Sequence, residues 1–214
     1  MTSRPRATVL IGALFLLAAT FAPLGGWGQR LFGRELGPHY SREILWWVLT
    51  FGLYAHVLFA ERRPLSSMGF RRPRVLDIVL AVITAMLMVG GFVFIYNVIF
   101  PLLHLQANLH RSNALGHTPL AYRLLLVTRA AVAEETLFRG YPIERLKEWS
   151  GSRILAGAVT LAAFTYAHLA YWGGAQLLIA GYGGLLLTVL YVWRRNIWAN
   201  MIAHWIADGA GFLA

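Results

Sequence analysis

Ala130-Ala131-Val132-Ala133-Glu134-Glu135-Thr136-Leu137-Phe138-Arg139-Gly140 is the stretch on which the reading of this chain turns. Its surroundings have the composition of a membrane-embedded helix, yet two adjacent carboxylates sit in its middle. An ionisable group at bilayer depth costs about 2.5–3.5 kcal/mol on insertion scales, so it marks a functional site until another role is found. Two such groups with Arg139 one turn on, and with His168 and His204 in later apolar segments, suggest acid–base chemistry inside the membrane.

The membrane assignment rests on composition. Of 214 residues, 58% are hydrophobic and 13% charged, and the mean hydropathy is +0.57. Soluble domains hold about 25% charged residues. Apolar stretches of about 20 residues can cross a hydrocarbon core of about 30 Å. Seven are expected: 9–27, 43–59, 76–100, 120–146, 154–171, 175–193 and 197–213. Pro23 and a Gly pair weaken the first, for which a signal peptide is the alternative, although 20–23 makes a poor cleavage site. An open sheet would leave backbone groups unpaired in lipid. The expected fold is therefore all-α, a polytopic bundle of about seven transmembrane helices (six to eight) in a single domain over 1–214, with its catalytic core at about 120–214.

Loop charges orient the bundle. Arg4, Arg6, Arg62, Arg63, Arg71, Arg72, Arg74, Arg145, Lys147, Arg153, Arg194 and Arg195 fall on one side, twelve cations against Arg30, Arg34, Arg42 and Arg111 on the other. Cytoplasmic loops carry the Lys/Arg excess. The N-terminus is thus expected in the cytoplasm of a multi-pass cell-membrane protein and the C-terminus outside. The formal charge of +10 then needs no nucleic acid, because anionic lipid attracts each cation by about 1 kcal/mol. The chain has no Cys, which removes disulfides and thiol chemistry. Arg supplies nearly all the cations, a weak hint of a GC-rich prokaryotic genome.

The ionisable residues cluster in the fourth, fifth and seventh spans, while the first three read as scaffold. Residues four apart share a helix face, so Glu135 can pair with Arg139. That leaves Glu134, about 100° round the helix, free for the bundle interior. The competing structural reading pairs both glutamates with arginines, Arg139 and Arg129. His168 alone could be a satisfied core histidine. Asn200, His204 and Asp208, however, repeat at four-residue intervals and line one stripe of the last helix, as a polar cavity requires. Counted at about 1.5 Å per residue, Glu134, His168 and His204 all reach roughly mid-membrane depth. His39, His104, His110 and His117 fall in expected polar loops (28–42, 61–74 and 104–118 are the longest), His56 is expected to pack, and Arg123 to snorkel. Trp46, Trp47, Trp172, Trp193 and Trp198 are expected at the interfaces. Gly181, Gly183 and Gly184 suggest close helix approach.

Glu134-Glu135-xxx-Arg139, Phe164-xxx-His168 and His204-xxx-Asp208, in this order on three spans, resemble the motifs of the CPBP intramembrane proteases. This family comprises the CAAX-processing endopeptidases and the bacteriocin self-immunity (ABI) proteins. The segment 64–73 is similar to one such proteins carry before their core. The resemblance implies an intramembrane endopeptidase acting on a membrane-associated or C-terminally tailed peptide. Glu134 with His168 would activate a water, and His204 with Asp208 would stabilise the oxyanion. Glu135 and Arg139 would fix the helix, and Phe164 and Asn200 would support it. Asp208 stands where many members carry Asn. No cofactor is expected, with zinc on Glu134, His168 and His204 as the alternative. A proton-coupled transporter and a silent scaffold or immunity protein are the other readings.

Overall fold

The computed structural model describes residues 11–15, 17, 18 and 37–213, and these are 85% helix with no strand among them. Most of the expected first span lies outside the described residues. Helix α1 spans Gly37–Ala55 and runs on through a π turn, His56–Ala60. After a 3-10 turn at Leu65–Met68, α2 spans Val75–Phe94 and continues through Ile95–Ile99 to Leu102. A short α3, Leu109–Gly116, precedes α4, Leu120–Arg129. Two π turns, Ala130–Glu134 and Thr136–Gly140, carry α4 into α5, Tyr141–Ser150. Helices α6 (Arg153–Trp172), α7 (Gln176–Arg194) and α8 (Ile197–Phe212) complete the bundle.

Among the described residues, three segments are long and apolar enough to cross a membrane: Tyr40–Ala60, Val75–Leu102 and Gln176–Arg194. Arg153–Leu169 is apolar over a shorter length. Helix α8 has only 16 residues, and α4 and α5 are interrupted by π turns bearing charge, so neither matches the uniform apolar spans expected from sequence. Two expected loops are also partly helical. Arg42, placed at the end of loop 28–42, lies within α1, and the loop 104–118 contains α3.

Local chemistry explains the boundaries. Ser152 caps α6 by accepting from the Leu155 N–H, and Asn196 caps α8 by accepting from the Trp198 N–H. Arg195 takes a left-handed conformation (φ 51°) to close the tight turn between α7 and α8. Asp77, in the first turn of α2, accepts from the Arg74 N–H at 2.8 Å and from Arg194 Nε at 2.7 Å. Small residues bring helices together. A Cβ on Gly184 would stand 2.8 Å from the Phe164 ring, so only glycine lets α7 approach α6 this closely. Gly183 is similarly tight against Phe92, whereas Gly181 has ordinary clearance. Trp46 is in the core rather than at an interface: it is 6% exposed and packs on Phe138.

Candidate active site

Glu134 and Glu135 lie at the junction of the two π turns. A π turn closes its hydrogen bonds i→i+5 and recurs at functional sites. Its effect here is to align residues five apart, and Arg129 Nη1 donates to Glu134 Oε1 at 2.8 Å. Arg129 also donates from Nε to Glu43 Oε2 at 3.0 Å, so one guanidinium lies between a carboxylate of α1 and one of the first π turn. Glu134 is therefore not free of arginine, as the four-residue spacing suggested. Its second oxygen, Oε2, stands 3.9 Å from His168 Nε2.

Glu135 behaves differently. Oε1 accepts from Arg139 Nη1 at 3.0 Å, the expected i,i+4 pair, and it also meets His204 Nδ1 at 2.8 Å. Oε2 accepts from Asn200 Nδ2 at 3.0 Å. Both arginine pairs of the structural reading are thus formed, yet each glutamate also reaches a histidine on another helix. Glu135, Arg139 and Asn200 are all at 0% exposure. A carboxylate only accepts, so Glu135 requires a proton on His204 Nδ1 and fixes the ring's orientation. Nε2 is then directed to Asp208 Oδ2, 3.5 Å away.

The second motif acquires a physical explanation. The Arg139 guanidinium lies 3.8 Å above the Phe164 ring centroid, a cation–π contact within the dry interior. The carbonyl of Phe164 lies 2.8 Å from His168 Nδ1, which places a proton there and leaves Nε2 for Glu134. Phe164 and His168 thus act one turn apart, one on the first motif's arginine and the other on its glutamate. Arg139 also donates to the Gly184 carbonyl at 3.3 Å, joining α7 to the same knot.

A cavity of about 420 Å³ is lined by Glu134, Phe164, His168, His204 and Asp208 together. Its remaining wall is largely apolar, with Met88, Phe92, Ile179 and Leu187 among its members. Glu135, Arg139 and Asn200 do not line it; they stand behind and hold what does. The eight residues singled out from sequence are thus brought into one constellation with two layers. Arg123, expected to snorkel, also reaches the cavity and donates to the Phe212 carbonyl at 2.9 Å, capping the end of α8. Among the described residues, no three His, Asp or Glu side chains are grouped as a metal ion would need.

Sequence reasoning missed Glu43 and gave Arg129 no role beyond an arginine partner. Glu43 stood at the start of an expected span, and an acid there was the available signal. Arg129 precedes Glu134 by five residues, a spacing that α-helical periodicity does not bring together.

A family model described as Rce1-like, type II CAAX prenyl endopeptidase, matches residues 115–210. That interval begins in α3 and contains all three motifs and the whole of α4 to α7. No curated protein and no solved structure matches the chain.

Proposed function

We propose, from the match of residues 115–210 to the Rce1-like, type II CAAX prenyl endopeptidase model, that the chain is an intramembrane endopeptidase using a glutamate-activated water. The observation that carries the reading is the pairing of Glu134 Oε2 with His168 Nε2 at 3.9 Å in the wall of a cavity shared with His204 and Asp208. That separation is too long for a direct hydrogen bond and suits a bridging water.

Glu134 takes a proton from that water, and the hydroxide adds to the carbonyl carbon of the scissile peptide. His168, its Nδ1 proton held by the Phe164 carbonyl, accepts from the water at Nε2 and aims it. The proton between His204 Nε2 and Asp208 hydrogen-bonds to the oxyanion of the tetrahedral intermediate and stays on that pair. Collapse of the intermediate breaks the C–N bond, and the Glu134 carboxylic acid returns its proton to the leaving amine. Loss of one oxyanion donor costs a hydrolase about 100–1,000-fold. Arg129 keeps Glu134 in place through its other oxygen. The bundle is read as multi-pass, with α1, α2 and α7 the spans of clearest hydropathy.

The test compares membranes carrying the wild-type chain with membranes carrying Glu134→Gln, by proteomics of newly formed protein termini. Termini present only with the wild type are expected, with at least about a 100-fold drop in the variant and normal membrane insertion. They should persist after chelation. Full activity in Glu134→Gln defeats the general-base assignment, and activity lost on chelation and restored by zinc favours the metal alternative.

A further inference from the structure

The cavity and the cation-rich loops occupy opposite ends of the bundle. Helix α1 enters at the cavity, where Arg42 lines the wall, and leaves at Glu61, which accepts from Arg145 Nη2 at 2.6 Å. Helix α2 starts at Asp77, paired with Arg194, and ends near Tyr96 in the cavity wall. The pass through α4 and α5 begins at Arg123 in the wall and ends at Glu148, paired with Arg63 at 2.6 Å. Helix α6 delivers His168 and Trp172 to the cavity at its C-terminal end, and α7 starts there at Gln176. Helix α8 starts at the other end, where the Ile197 N–H donates to the Gly69 carbonyl, and brings Asp208 and Phe212 to the cavity.

The loops 61–74, 145–153 and 194–195 are therefore one surface, cross-tied by Arg145–Glu61, Arg63–Glu148 and Arg195–Glu144. They carry ten of the nineteen cations. Between residues 37 and 213 the cavity end carries only Arg42, Arg111 and Arg123. Short loops rich in Arg stay in the cytoplasm. Anionic lipid on that leaflet adds about 1 kcal/mol per cation.

We infer that the cavity opens on the non-cytoplasmic face and receives its polypeptide from that side. This rests on the peptidase reading for the identity of the occupant and on loop charge for the direction. The substrate class that fits is an apolar peptide segment continuous with a tail outside the membrane, since Met88, Phe92, Ile179 and Leu187 line the approach to Glu134. A prenylated cytosolic tail would arrive at the opposite, closed end, where Tyr191 and Ile197 are at 0% exposure beneath the basic loops.

The lack of Cys makes the test direct, because one introduced thiol is the only label site. Gly116→Cys lies in the cavity wall and is exposed, and a Cβ there meets nothing within 4 Å. Ser66→Cys is exposed among the basic loops. In intact bacterial cells, a membrane-impermeant maleimide is expected to label Gly116→Cys, and to label Ser66→Cys only after permeabilisation. Asn113→Cys, exposed on the same short helix, is the second cavity-end position should Gly116→Cys fold poorly. The reverse pattern, or protection of the cavity-end thiol in intact cells, overturns the inference. Termini dependent on Glu134 should fall in segments outside the cytoplasm, and cytoplasmic ones would overturn the substrate class. Absence of any such termini would defeat the peptidase reading, while the labelling would still decide the orientation.

Discussion

Glu134 and Glu135 are chemically identical neighbours whose surroundings divide their work. Arg129 is shared by Glu43 and Glu134, so neutralising Glu134 leaves that buried guanidinium one carboxylate. Arg139 is ion-paired to Glu135 alone, with both side chains at 0% exposure. Removing one partner of a buried pair costs about 3–5 kcal/mol, because the remaining charge is uncompensated. Glu135→Gln would also take the charged acceptor from His204 and Asn200. Glu135→Gln is therefore expected to lower stability in detergent by about 3 kcal/mol or more, and Glu134→Gln by clearly less. Thermal unfolding of the two purified variants checks this. Equal losses would mean that the two carboxylates carry the same structural load, contrary to the division between cavity wall and support.

At the scale of helices, the spacing of apolar and polar residues was a good guide only where the backbone kept α geometry. The Glu135–Arg139 pair and the Asn200–His204–Asp208 stripe were legible because four-residue spacing holds there. Arg129 entered only as the partner in the competing structural reading and without its geometry, because a π turn between it and Glu134 changes the angular step, and no side-chain pattern reveals an i→i+5 turn. The short α3 was likewise hidden, since Leu109–Gly116 has polar residues and ends in Gly without a strong apolar face. The π turn itself gives a test. Inserting one Ala after Ala131 lengthens the Arg129–Glu134 interval to six residues, a spacing that neither α nor π geometry aligns, and turns Arg129 relative to Glu134 by about 100°. Circular dichroism is expected to show unchanged helix content, while formation of Glu134-dependent termini falls by at least about 100-fold. Retained activity would show that the turn does not set the position of Glu134.

At the scale of the molecule, the bundle has a cavity end and a fastened end. The half that bears the motifs and their order were readable, because polar residues in apolar spans are conspicuous. The fastenings were not: Glu61, Asp77, Glu144 and Glu148 lie in or beside loops, and each acid has a partner from a distant part of the chain. Arg145 is the hub, donating to Glu61 from Nε and Nη2, to Ser67 at 3.1 Å, and lying over the Tyr141 ring. Arg145 and Glu61 side chains are each 2% exposed, so their attraction is poorly screened. A double-mutant cycle with Glu61→Gln and Arg145→Gln should then show a coupling of about 1–3 kcal/mol, read from unfolding in detergent. Each single change leaves the other buried group only its weaker partners, Glu148 at 3.5 Å for Arg145 and the Tyr141 hydroxyl for Glu61, whereas the double change removes both charges, so the double variant should be more stable than the sum of the singles predicts. Cleavage should change little in all three variants, because Glu134 and His168 lie at the other end of the helices. Additive losses would mean that solvent already screens the pair, and a loss of cleavage matching Glu134→Gln would show that the fastened end controls the site.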